Sequence, residues 1–220
     1  MLPFLIPLLN IISINWNKIR VCCGGKHIAI LGERGVGKTH LLSFLLKGEI
    51  PEKYEQTVGD IRSSGAVFKL RDLELVVRKT TDVSGSKDAY SSWKKIHDQA
   101  DYVFYLLRVD KVLSDDKKTI ERIAADIEHI RSWKEQRNDK GVLYYIIGTH
   151  CDYDPAFRHL TRETQGKYHD DFINKEIIQT AMLSICDNKH TRVIIGSMLN
   201  KECMQSLTYE LLCRIQSDCD

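Results

Sequence analysis

Short runs of uninterrupted apolar residues alternate with longer stretches in which apolar side chains return every three or four positions. His27–Leu31 is a short apolar run closed by Gly32, and Tyr102–Leu107, Val142–Ile147 and Val193–Ile195 are three more. Runs of this length without a polar face fit strands buried on both sides. Ala66–Leu70 and Leu73–Val77 read as a pair of strands joined by the charged turn Arg71-Asp72. Helical spacing marks Thr39–Lys47 through Leu42, Leu45 and Leu46. It also marks 115–138 through Ile120, Ile123, Ile127, Ile130 and Trp133. A third helix carries Phe172, Ile173, Ile177, Ile178 and Met182, and the last carries Met204, Leu207, Leu211 and Ile215. This alternation predicts an α/β fold with a mostly parallel sheet and helices on both faces. Ligands in such folds sit at the carboxyl ends of the strands. The polar stretch 152–171 reads as an excursion that is either solvated or used to recognise a partner.

The first segment breaks this pattern. Residues 2–16 carry no charge, and Lys18, Arg20 and Lys26 follow. As a helix the stretch would be roughly 22 Å long, short of the ~30 Å hydrocarbon core of a bilayer. No basic residue precedes it and no small-residue cleavage site follows, so it does not read as a signal peptide. Asn10, Ser13 and Asn17 would share one helical face. Residues 1–26 are therefore expected to anchor the chain at a membrane interface or to pack on the domain or a partner, with residues 2–20 as the membrane-facing part. Residues 27–220 form the domain proper.

Composition narrows the classes. Apolar residues make up 43% of 220 and charged residues 28%, enough for a packed core under a solvated surface. The net charge of +2 comes from interspersed acids and bases, which gives no field for nucleic acid. Seven cysteines with no C-x-x-C pair indicate neither a disulfide framework nor a zinc knuckle. A reducing, cytoplasmic setting is expected, with peripheral attachment to a membrane facing the cytosol.

The candidate chemistry begins where the first strand ends. Gly32-Glu33-Arg34-Gly35-Val36-Gly37-Lys38-Thr39 fits G-x-x-x-x-G-K-[ST]. Glycines let the backbone wrap a phosphate chain with its N–H groups turned inward, and the next helix adds its positive end. Lys38 would bridge the terminal phosphates, Thr39 would place its hydroxyl on Mg²⁺, and His40 follows in the same first helical turn. Arg34, Gly35, Val36 and Gly37 complete the cradle.

Four further landmarks follow in order. They are Tyr54-Glu55-Gln56-Thr57-Val58-Gly59, then Asp82-Val83-Ser84-Gly85, then Thr149-His150-Cys151-Asp152, then Gly196-Ser197-Met198. Together with the phosphate loop they resemble the small GTPases of the Ras superfamily across roughly residues 27–217. The resemblance implies a G domain of the P-loop NTPase class, with a six-stranded, mostly parallel sheet. It implies that Thr57 contacts Mg²⁺ and the γ-phosphate, that Tyr54 closes over the nucleotide, and that Asp82 holds the metal. It implies that the Gly85 N–H reaches the γ-phosphate. Asp152 would accept hydrogen bonds from the guanine N1–H and N2 amine, which adenine cannot supply. Thr149 and His150 complete that loop, and Ser197 and Met198 would approach the guanine O6 through backbone N–H. The second switch, Asp82-Val83-Ser84-Gly85-Ser86 with Trp93 seven residues on, is most similar to the Arf/Sar branch. Thr57-Val58-Gly59 and the apolar leading segment are further parallels.

Three positions depart from the family pattern. Ser86 stands where a Gln orients the attacking water, Arg34 where a small or short polar residue is usual, and His150 where a Lys packs over the base. The expectation is a guanine-nucleotide switch with GTP or GDP and Mg²⁺, with Lys38, Gly85 and Ser86 as its catalytic residues and slow intrinsic hydrolysis. Its switch segments, about 50–62 and 82–96, would recruit an effector or regulator. The alternatives are an interaction module that keeps the fold with nucleotide fixed or absent, and a P-loop phosphotransferase.

Overall fold

A computed structural model describes residues 26–47, 61–63, 66–70, 73–77, 79–82, 90–137, 141–161, 164–187 and 189–218. The strands are β1 (His27–Gly32), β2 (Ile61–Ser63), β3 (Ala66–Leu70), β4 (Leu73–Val77), β5 (Lys79–Asp82), β6 (Tyr102–Arg108), β7 (Leu143–Thr149) and β8 (Val193–Ile195). The helices are α1 (Lys38–Lys47), α2 (Tyr90–His97), α3 (Val109–Leu113), α4 (Lys117–Arg137), α5 (Pro155–Arg158), α6 (Gln165–Ile173), α7 (Glu176–Ile185) and α8 (Lys201–Asp218). A 3-10 turn occupies Cys151–Tyr153.

The main sheet runs in the order β2-β5-β1-β6-β7-β8. All neighbours in it are parallel except β2, which is antiparallel to β5. β3 and β4 pair antiparallel, and their register continues that of β2 and β5: Ile61 faces Asp82, and Ala66 faces Val77. β3 and β4 thus form a two-stranded sheet of their own, the pair of strands that the sequence predicts.

Period-2 alternation divides the core between the two faces of the sheet. Ala29, Leu31, Val103, Tyr105, Tyr144 and Ile146 point to one side, where they meet Trp93 of α2, Ile123, Ile127 and Ile130 of α4, and α6 and α7. Ile28, Ile30, Phe104, Leu106, Tyr145 and Ile147 point to the other, against Leu41, Phe44 and Leu45 of α1 and Leu207, Leu211 and Ile215 of α8. Each Val, Leu, Ile or Phe among them contributes about 1.5–3 kcal/mol when taken fully from water. The central strands are thus buried on both faces, as their unbroken apolar runs require. Among the described residues no helix is long and apolar enough to cross a membrane. The apolar segment 2–16 lies outside them.

One stretch differs from expectation. The single helix expected through Phe172 and Met182 is two, because Lys175 is extended (φ −63°, ψ 131°). Gln179 Nε2 donates to the Ile173 carbonyl (2.9 Å), replacing a bond lost at the break. Apolar spacing runs straight across the break since both helices cover one core. In the polar stretch 152–171 the described residues include α5 and much of α6: Asp154 caps α5 through the Ala156 N–H (2.9 Å), and Tyr168 is buried in the core.

Candidate functional site

The parallel strands β1, β6, β7 and β8 end along one edge, where Gly32 is in register with Leu106, Arg108 with Thr149 and Gly148 with Ile195. The loops that leave this edge carry the sequence motifs. The first wraps from Gly32 to Lys38. Gly32, Gly35 and Gly37 all have positive φ (140°, 85° and 92°). A Cβ at Gly32 would run into the Leu106 carbonyl oxygen, and one at Gly37 would stand 2.6 Å from Met198 Sδ. Only glycine serves at these two positions. The loop delivers the chain directly into α1, whose first turn carries no acid to offset its positive end. An anion is the natural complement.

Lys38 is buried and folds back over the loop, donating from Nζ to the carbonyls of Gly32 (3.1 Å) and Glu33 (3.0 Å). Its ammonium is thereby held over the cradle. Thr39 and His40 are half-buried, and burial pulls the His40 pKa down. Arg34 is exposed and Val36 is buried in the core behind the loop.

The second loop follows β7. The Thr149 hydroxyl donates toward the carbonyls of Val36 (2.9 Å) and Leu107 (3.1 Å), and His150 Nδ1 stands 2.8 Å from the same oxygen. With its one proton aimed at carbonyls, the hydroxyl accepts from His150, so the imidazole proton sits on Nδ1. His150 takes the left-handed conformation (φ 59°), and burial, aided by the Arg108 charge, keeps its pKa low. Thr149 therefore ties this loop to the phosphate loop. Met198, packed at Gly37, makes a second tie from the third loop.

That third loop leaves β8. Ser197 Oγ donates to Asp152 Oδ1 at 2.5 Å and accepts from the Leu199 N–H at 3.0 Å. Arg158 Nε donates to the Asp152 carbonyl at 3.0 Å. Asp152 is held by its own backbone and by Ser197, and a carboxylate so placed presents acceptors to a pair of N–H donors. The structure thus brings Gly32, Arg34, Gly35, Val36, Gly37, Lys38, Thr39, His40, Thr149, His150, Asp152, Ser197 and Met198 onto one edge of the sheet. Asp82 ends β5 beside Ile30 of β1, at the same end. Tyr54, Thr57, Gly85 and Ser86 lie outside the described residues.

A model of the Ras family matches residues 27–184. That span is well over half of the chain. This chain belongs to the Ras family. Comparison with curated proteins finds none that matches. The family supports a GTP-binding small GTPase, and the cradle fits a polyphosphate on its own geometry: close-packed glycines at positive φ, an unopposed helix start and a lysine drawn across them. The Ras-family match ends at Ile185's neighbour Ser184, yet the Ser197–Asp152 bond carries the site beyond it.

The motifs do not include Arg108, and they do not give the role of Thr149. Arg108 closes β6 and forks onto Asp110 through Nε–Oδ1 (3.0 Å) and Nη2–Oδ2 (2.6 Å), and its guanidinium lies 5.1 Å from the Tyr153 ring centroid. The available signal was a charged residue ending an apolar run at the ligand end of a strand. Thr149 belongs to the base loop by motif, but its hydroxyl bonds to backbone carbonyls, which carry no mark in a sequence.

Proposed function

We propose that this Ras-family chain is a guanine-nucleotide switch of the Arf-like kind that binds GTP and GDP with Mg²⁺ and hydrolyses GTP slowly. One observation carries the reading. The phosphate loop and the loop bearing Asp152 are a single bonded unit through Thr149 and Val36, with Ser197 fixing the carboxylate that would read the base. Asp152 would take the guanine N1–H and N2 amine. Lys38 would engage the β- and γ-phosphates, and Thr39, Thr57 and Asp82 would hold the metal, which neutralises phosphate charge when bound. Ser86, too short to orient water as a Gln does, supports slow hydrolysis.

The Arf-like branch rests on the spacing from Asp82 to Trp93, on Thr57-Val58-Gly59 and on the apolar leading segment. Trp93 is wholly buried, a place any core aromatic would also take. In this reading, residues 2–20 bring the domain to a membrane and segments 50–62 and 82–96 meet an effector. A second reading, an interaction module with nucleotide fixed or absent, is favoured by the same Ser86, by Arg34 and by His150.

Chromatography of nucleotide released by denaturing the purified full chain tests the assignment. GTP or GDP is expected. An empty protein would favour the interaction module, and an adenine nucleotide would favour a phosphotransferase. Asp152→Asn is expected to exchange guanine preference for xanthine, and unchanged guanine affinity would defeat the base assignment. In a single-turnover assay, rapid unaided GTP cleavage would defeat slow hydrolysis.

A further inference from the structure

We infer that Arg108 is a positioning residue for purine selectivity, acting on Asp152 through Tyr153; this rests on the guanine-nucleotide reading above. Tyr153 adjoins Asp152 in the 3-10 turn and is 62% exposed, among the most exposed large hydrophobic side chains described. A ring so exposed on a one-turn element gains no fixed position from the core. Arg108 supplies one. Its guanidinium lies over the Tyr153 ring at 5.1 Å, the arrangement of a cation–π contact. The guanidinium is itself held by the two-point fork to Asp110, whose side chain is only 14% exposed. Fixation thus passes from Asp110 at the start of α3 to Arg108 at the end of β6, then to Tyr153 and the backbone of Asp152. Ser197 and Arg158 hold the same residue from its other sides.

The charge at Arg108 has a second consequence. It lies within electrostatic reach of the Asp152 carboxylate and of His150. The groups acting on the His150 imidazole are Arg108, Asp110, Asp152 and His40, with Thr149 bonded to Nδ1 and the Tyr153 ring 5.4 Å away. His150 is kept neutral, so Arg108 is the permanent positive charge among these groups. A lysine would keep the charge but not the two-point fork onto Asp110.

Affinities of the full-length chain for GDP and for IDP, which lacks the N2 amine, test this. Wild type is expected to prefer GDP. Arg108→Gln should weaken GDP roughly tenfold and narrow the GDP/IDP ratio. Arg108→Lys should recover only a small part of the ratio. Tyr153→Leu should narrow it likewise, and the double variant should do no more than the worse single one, since both act through one path. A uniform loss for GDP and IDP in Arg108→Gln, or additive effects of the two substitutions, would overturn the inference. Titration of His150 by NMR in nucleotide-free protein separates this from the wider reading. Arg108→Gln should raise the His150 pKa. An unmoved titration would overturn the placement of Arg108 whatever the chain binds, whereas a wild type that binds no guanine nucleotide while that titration moves would sink only the proposed function.

Discussion

The Thr149 hydroxyl does more for the site than its place in a motif suggests. Its single proton lies between carbonyls of the phosphate loop and of β6, and its oxygen accepts from His150. Thr149→Val keeps the shape and removes all of these bonds. Buried carbonyls and an imidazole N–H then lose a partner, which costs about 1–3 kcal/mol. Denaturant unfolding of the variant should show a loss in that range with an unchanged slope. A loss below about 0.5 kcal/mol, the scatter expected at a neutral surface site, would mean the tether is not formed. The residue also illustrates what was legible. Gly32 to Thr39 announce themselves because glycine and lysine at fixed offsets have a distinctive chemistry. A threonine bonded to main chain, or an arginine lying on a tyrosine 45 residues away in sequence, leaves no such trace.

At the scale of elements, α2, α4 and β6 meet at a buried charge. Asp126 is fully buried and accepts from Tyr90 (2.6 Å), Tyr105 (3.0 Å) and Arg122 Nε (2.7 Å). Arg122 lies over the rings of Tyr90 (5.3 Å) and Trp93 (5.7 Å), and its Nη2 is buried without a hydrogen-bond partner. Helix α2 is thus pinned to α4 by polar contacts as well as by Trp93. Asp126→Ala strands a guanidinium in the core and should cost about 3–5 kcal/mol. Replacing the pair together, Arg122→Met with Asp126→Leu, should cost clearly less than Asp126→Ala alone. Equal losses in urea unfolding would show that the stranded charge is not the cause. The helix period revealed α4 and its buried stripe, but not this hub. Arg122 and Asp126 are spaced like any exposed i, i+4 pair, and only the tertiary neighbours Tyr90 and Tyr105 turn them inward. The break between α6 and α7 was hidden for a related reason: apolar spacing reports which face meets the core, and that face is continuous across Lys175.

Across the whole molecule, the parallel alternation, the two-faced core and the edge that gathers the loops follow from the distribution of apolar runs. The response of that assembly to acid follows from what is buried in it. His97, at the end of α2, is completely buried against Trp133 and Tyr144, with Nε2 2.9 Å from the Tyr144 hydroxyl and Nδ1 3.3 Å from Asp98. Burial lowers its pKa, and the opposing pull of Asp98 does not reverse this. Above the unfolded value of about 6.5, both folded and unfolded states carry a neutral ring and pH has no leverage through it. As pH falls through that value, the unfolded chain takes up a proton that the folded chain refuses. Stability then drops by up to about 1.4 kcal/mol per pH unit until the folded value is reached. Burial lowers His150 and His40 in the same sense, so the three slopes add. The carboxylates held low by partners, Asp187 and Asp218, lose their contribution only further down, below about pH 4. Denaturant midpoints between about pH 7 and pH 5 should therefore fall for the wild type. In His97→Gln, which keeps a polar contact for Tyr144 but cannot titrate, the fall should be shallower by about one proton's worth. Parallel curves for the two proteins would mean that the His97 ring titrates in the folded domain as it does in water.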